Sequence, residues 1–218
     1  MGRPPELVHV PGVDVPVWWH RGEERTAVLV LPGLGEPRAG VNYLWSELAA
    51  AVAGSGRSCV RPALAGCGND ERPASPRVWR EDVDALMAFM RQHGMRPLVV
   101  ARGAGAVALR RDAEQVRFIA VRPATGRAID VVRRVVVENA EFDVGALAAS
   151  GYRDELEDLG VESRCAEGLR FPRALPADLS ECAREAARPD EIWYGDEPTH
   201  LTRAQRAAFV RRVVDQCS

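Results

Sequence analysis

Apolar residues in this chain fall into runs of two kinds. Short continuous runs, such as "TAVLVL" at 26–31 and "PLVVA" at 97–101, read as strands buried on both faces, the habit of a parallel sheet. Longer segments space their apolar residues at intervals of three and four. Leu44, Leu48 and Val52 mark one helix over about 41–53, closed by "GSG". Val83, Leu86, Met87 and Met90 mark a second, opened by Ser75-Pro76 and closed by Gly94. The two kinds alternate. "SCVRPALAGCGNDE" reads as strand and loop, "VVARGAGAVALRR" at 99–111 as strand, tight turn and helix, and "RFIAVRPA" as a further strand. Ahead of them, strands predicted at 6–10 and 15–19 flank "PGVD", a connection suited to an antiparallel hairpin. Strands separated by helices predict an α/β fold with right-handed crossovers and a mostly parallel sheet.

Beyond Pro123 the periodicity weakens. Residues 125–160 read as a helical, irregular cap inserted into one domain spanning 1–218, with "IDVVRRVVV" its most regular piece. After it come a short strand at "VESRCAE", a helix over 177–187, a last strand and loop in "DEIWYGDEPTH", and a terminal helix from about Thr202.

Composition narrows the function classes. With 218 residues and 46% of them hydrophobic, the chain has material for one substantial core. A net charge of −2, arginines interspersed with acids and only 6% aromatics leave neither a basic field nor a stacking platform, which argues against nucleic-acid binding. The apolar runs are far shorter than the ~20 residues that cross a bilayer, and no signal-peptide pattern opens the chain, so a cytoplasmic protein without membrane insertion is expected. Cys59, Cys67, Cys165, Cys182 and Cys217 lack C-x-x-C spacing; free thiols are expected, with no metal site. "GLG" at 33–35 is an incomplete dinucleotide fingerprint, and no cofactor is implied.

Four pieces, in order, resemble the α/β-hydrolase superfamily. "LPGLGE" is similar to its loop after the third strand and "ALAGCGNDE" to a later Gly-rich loop. "ARGAGA" sits where the nucleophile elbow belongs, and "YGDEPTHLT" resembles the loop carrying the catalytic histidine. The resemblance implies a three-layer fold with an N-terminal antiparallel hairpin and a short helical cap. It also implies that the nucleophile position is Gly103, which has no side chain; that His200 holds the place of the general base; and that Glu167 is the carboxylate nearest the place of its acid partner. Backbone N–H groups of Leu34 or Gly35 and of Ala104 would converge as an oxyanion hole. A second resemblance, to hydrolase-like proteins of exosortase and exopolysaccharide gene clusters, rests on "LWSELAAAVAGSG", "LAGCGND", "VWREDVDALMAFM" and "ASGYRDELEDLG".

Glycine tolerates the backbone of an elbow without a serine, so acyl-enzyme chemistry at Gly103 is excluded. The leading expectation is a non-hydrolytic protein that binds a small acyl or carboxylate-bearing molecule, or a protein partner in a biosynthetic pathway, at the old pocket. Its binding groups would be Leu34, Gly35, Arg102, Gly103 and Ala104, with Arg122 a second guanidinium at the carboxyl ends of the strands, where α/β sheets place ligands. The alternative is an enzyme with another centre: a Cys67 hydrolase or transferase, or a His200-dependent isomerase, lyase or cyclase. A third reading is a scaffold subunit using the cap or the terminal helix as an interface. Asp196 and Glu197 fit a polar loop as well as a site, and His9, His20 and His93 read as ordinary residues at element ends.

Overall fold

A computed structural model describes residues 4–37, 39–40, 43–67, 70–112, 116–136, 141–161, 169–193 and 202–217. Its first strands are β1 (Glu6–Val8) and β2 (Val17–His20), an antiparallel pair with Leu7 opposite Trp18. β2 alternates buried and half-buried residues, whereas β3 (Thr26–Leu31) is buried along nearly its whole length, as expected for a strand covered on both faces. Helix α1 (Leu44–Gly54) leads into β4 (Ser58–Arg61). Helix α2 (Pro76–Gln92) starts at Ser75, whose hydroxyl accepts from the Val78 N–H, with Pro76 at the first helical position. It leads into β5 (Arg96–Gly103), which is followed by β6 (Arg117–Pro123).

Between β6 and the next long helix lie α3 (Gly126–Val135), β7 (Glu141–Asp143), α4 (Val144–Leu147), α5 (Arg153–Asp158) and β8 (Arg170–Pro172). Then come α6 (Leu175–Glu185), β9 (Glu191–Trp193) and α7 (Arg203–Gln216), which opens on a reciprocal Thr202–Gln205 capping box. The main sheet runs β1-β2-β4-β3-β5-β6-β9: β1, β2 and β4 pair antiparallel, and every pairing from β4 to β9 is parallel. β7 and β8 form a separate two-stranded ribbon, which three-residue strands are too short to announce by periodicity.

Alternate residues of β3 sort the core into two layers. Val28 and Val30 pack with Leu48 of α1 and Phe209 of α7. Ala27, Leu29 and Leu31 face the other side, with Val83, Leu86 and Met90 of α2. Each large apolar side chain so buried contributes about 1.5–3 kcal/mol.

One element departs from expectation at the elbow. β5 is followed not by a full helix but by a five-residue 3-10 turn, Ala104–Ala108, after which Leu109 is extended. The carbonyls that would continue a helix are engaged elsewhere. Arg80, buried in α2, donates through Nε to the Val107 carbonyl at 3.2 Å, and Ala187 N–H donates to the Leu109 carbonyl at 2.8 Å. Arg111 N–H donates to the Glu185 carbonyl at 2.9 Å, so the segment is bound sideways to the end of α6. Tertiary hydrogen bonds override a weak local helix signal, which Gly105 weakens further. The short strand expected at "VESRCAE" lies, beyond Val161, outside the described residues.

Candidate functional site

At the end of β5, Gly103 has φ +50° and ψ −128°, a conformation that side chains rarely adopt. A Cβ placed there would lie 2.6 Å from both the Gly160 nitrogen and the Leu159 carbonyl oxygen, and 2.7 Å from the Gly160 Cα. The chain following α5 therefore fills the space where a side chain on residue 103 would stand. Gly160 is itself at φ +91°, and a Cβ on it would come within 2.7 Å of the Gly33 Cα. Gly33, Gly103 and Gly160 thus meet backbone to backbone, a contact open only to residues without side chains.

The Leu159 carbonyl completes the closure. It accepts from Leu34 N–H at 3.1 Å and from Ala104 N–H at 2.9 Å. These two amides belong to the loop after β3 and the turn after β5, the pair expected to form an anion hole. Here they converge on an acceptor supplied by the insertion. Gly35 N–H turns elsewhere, donating to the Cys67 sulfur at 3.4 Å.

A buried ion pair reinforces this junction. Arg102 is 5% exposed and Glu36 is fully buried, with Arg102 Nη1 3.2 Å from Glu36 Oε1. Glu36 Oε2 accepts from Gly33 N–H at 2.7 Å, and Arg102 Nη1 donates to the Gly160 carbonyl at 3.4 Å. Arg102 is accordingly an internal strut between the loop after β3 and the Leu159–Gly160 segment. Glu36 went unnoticed in the sequence. Its only signal is a carboxylate placed directly after the small, apolar "LPGLG".

Cys67 lies nearby: burial, outweighing the Gly35 N–H, pushes its thiol up to about 12. Its loop is tied down by Arg72, which reaches Asp70 at 2.7 Å, Asp82 at 2.8 Å and Asp14 at 3.0 Å. Cys59, Cys182 and Cys217 are free and buried. Cys165, Glu167, Asp196, Glu197 and His200 lie outside the described residues. Of the other histidines, His20 lies 3.3 Å from Arg61, and burial followed by that cation lowers its pKa. His93 stacks on Phe89 with ring centres 4.2 Å apart.

One strand over, Arg122 is the extra residue of a bulge: Arg102 pairs with Val121 while Gly103 pairs with Pro123. Its φ is +43°, uncommon for a residue with a side chain. Arg122 Nη2 donates to Asp158 Oδ1 at 3.2 Å, and Thr125 Oγ1 lies 3.5 Å from the other Asp158 oxygen. Arg122 Nε and Nη1 are buried and have no hydrogen-bond partner among the described residues.

A mostly parallel sheet in a three-layer sandwich, with a sharp turn after its central strand, is the α/β-hydrolase fold, and solved structures agree. A protein from Agrobacterium vitis S4 designated a hydrolase matches with a TM-score of 0.67 at 17% identity, over 99% of each chain. A soluble variant of the Saccharomyces cerevisiae monoglyceride lipase matches with 0.63 at 11% identity, over 99% of this chain and 94% of that one. The α/β hydrolase GrgF from Penicillium sp. sh18 matches with 0.61 at 14% identity, over 99% and 98%. Identities this low establish the fold alone. No protein-family model and no curated protein matches the sequence. Among the described residues no helix is long and apolar enough to cross a membrane.

Proposed function

We propose that this chain is a non-hydrolytic protein on an α/β-hydrolase fold, in which the turn at Gly103 anchors the 125–160 cap instead of presenting a nucleophile. The observation that carries the reading is the double use of the Leu159 carbonyl: it accepts from both Leu34 and Ala104, with Gly160 seated on the position of the missing side chain. A substrate carbonyl would have to displace an internal hydrogen-bonded group to be polarised there, and it would meet no nucleophile at Gly103. The retained role is binding, of a small acyl or carboxylate-bearing molecule or of a protein partner, at the carboxyl edge of the sheet beside the closed hole.

The enzymatic alternative finds less support. A thiol pushed up to about 12 is protonated at neutral pH, which disfavours Cys67 as a nucleophile. Turnover of p-nitrophenyl esters tests the proposal: native protein is expected to be no faster than heat-denatured protein. Strong native turnover that disappears in His200→Ala contradicts it.

A further inference from the structure

Two arginines stand at the carboxyl ends of adjacent strands, and their surroundings differ. Arg102 is paired through Nη1 with the buried Glu36 carboxylate and the Gly160 carbonyl. Arg122 has one carboxylate, Asp158, on Nη2, while Nε and Nη1 are buried with no acceptor among the described residues. A native structure pairs nearly all such donors, so guanidinium N–H groups left unpaired among the described residues are donors that a bound ligand can satisfy. The backbone points the same way. Arg122 occupies a bulge, a device that re-aims a side chain, and holds φ +43° where glycine would be unstrained.

The geometry points to Arg122 as the anion-recognising residue of this protein, holding the carboxylate of a small ligand in competition with Asp158. The ligand enters at the partly open side of the pair, where Asp158 is 32% exposed and the Arg122 side chain 14% exposed. A carboxylate matches because Asp158 already presents that group to Nη2, and a ligand carboxylate that displaces it can bridge Nη2 and Nη1, an end-on fork of two N–H donors. Asp158 also precedes Leu159 directly, so the ligand binds beside the closed hole and not within it. The inference rests on the binding role proposed above and adds its recognising residue and ligand class.

Thermal unfolding with hexanoate as the probe tests it, using the wild type, Arg122→Gly and Asp158→Asn. Hexanoate is expected to raise the wild-type midpoint saturably. In Arg122→Gly the apparent affinity should fall roughly tenfold or more, the loss of a charge-assisted hydrogen bond, although glycine suits the φ and keeps the unliganded midpoint near that of the wild type. Asp158→Asn removes the competing carboxylate, so its response should come at lower hexanoate concentrations. A purely structural ion pair predicts instead that both variants lose stability and that neither alters the response. Absence of any hexanoate effect, or an effect that Arg122→Gly leaves intact, overturns the inference. An effect of inorganic phosphate but not hexanoate overturns the carboxylate class. Ester turnover on the same wild-type preparation separates the two claims: turnover defeats the non-hydrolytic reading, whereas silent turnover with an Arg122-independent response defeats only this one.

Discussion

The ends of β5 and β6 lie side by side and solve the same problem in opposite ways. Both carry a positive φ, at Gly103 and at Arg122. At Gly103 the strain is absorbed by glycine, the neighbouring Leu34 and Ala104 amides share the Leu159 carbonyl, and the nearby arginine is paired with a fully buried glutamate. At Arg122 a side chain is held where glycine belongs, on the order of 1–3 kcal/mol of strain, and two donors are unpaired among the described residues. The first arrangement is finished as structure. The second is the opening that the proposed carboxylate site uses.

The sharpest way to break this contrast is through Glu36. Glu36→Ala leaves Arg102 buried without its counter-charge and Gly33 N–H without its acceptor, and is expected to cost about 3–5 kcal/mol in urea unfolding. A loss below about 1 kcal/mol would mean that the pair is hydrated and the junction loose. Next comes Gly160→Ala. A methyl at φ +91°, 2.7 Å from the Gly33 Cα, should cost about 2–4 kcal/mol and loosen the Leu159 carbonyl from both amides. Arg122→Gly, also a substitution at a positive φ, should by contrast cost little.

The smallest effect concerns the thiol beside the hole. Burial raises the Cys67 pKa in the folded chain from 9.0 to about 12, so below pH 9 the thiol is protonated in both folded and unfolded chains and its contribution is fully present. As pH rises from about 9 towards 12 the unfolded chain ionises first, and stability falls. Cys59, also raised to about 12, adds to the same alkaline loss. Cys67→Ala should flatten part of that slope in denaturation curves taken across the window; an unchanged slope would show that Cys67 is accessible.

The fold was legible because its signals are local and repeated. The continuous apolar run of β3, the three-four spacing of α2 and its Ser-Pro opening each identify an element without tertiary knowledge. The site was legible only as a frame. "ARGAGA" locates the tight turn after β5, but nothing in Leu159-Gly160 announces that this segment returns to pack on it, since the contact joins glycines 57 positions apart in sequence. Arg102 and Arg122 look alike in the sequence. Their difference arises from Glu36, which lies 66 positions before Arg102, and from a bulge that no periodicity encodes. The helix expected after Gly103 was lost for the same reason: its carbonyls answer to Arg80 and to the end of α6, not to their own neighbours.

The central claim, that the hole is occupied by the chain itself, is tested most directly by amide hydrogen exchange at Leu34 and Ala104. Both N–H groups bond to the Leu159 carbonyl, so they should exchange as slowly as Val100 within β5 and lose that protection in Gly160→Ala while Val100 keeps it. Exchange of either amide at the rate of an open loop in the native protein would contradict the account, because it would show an oxyanion site still open to a ligand.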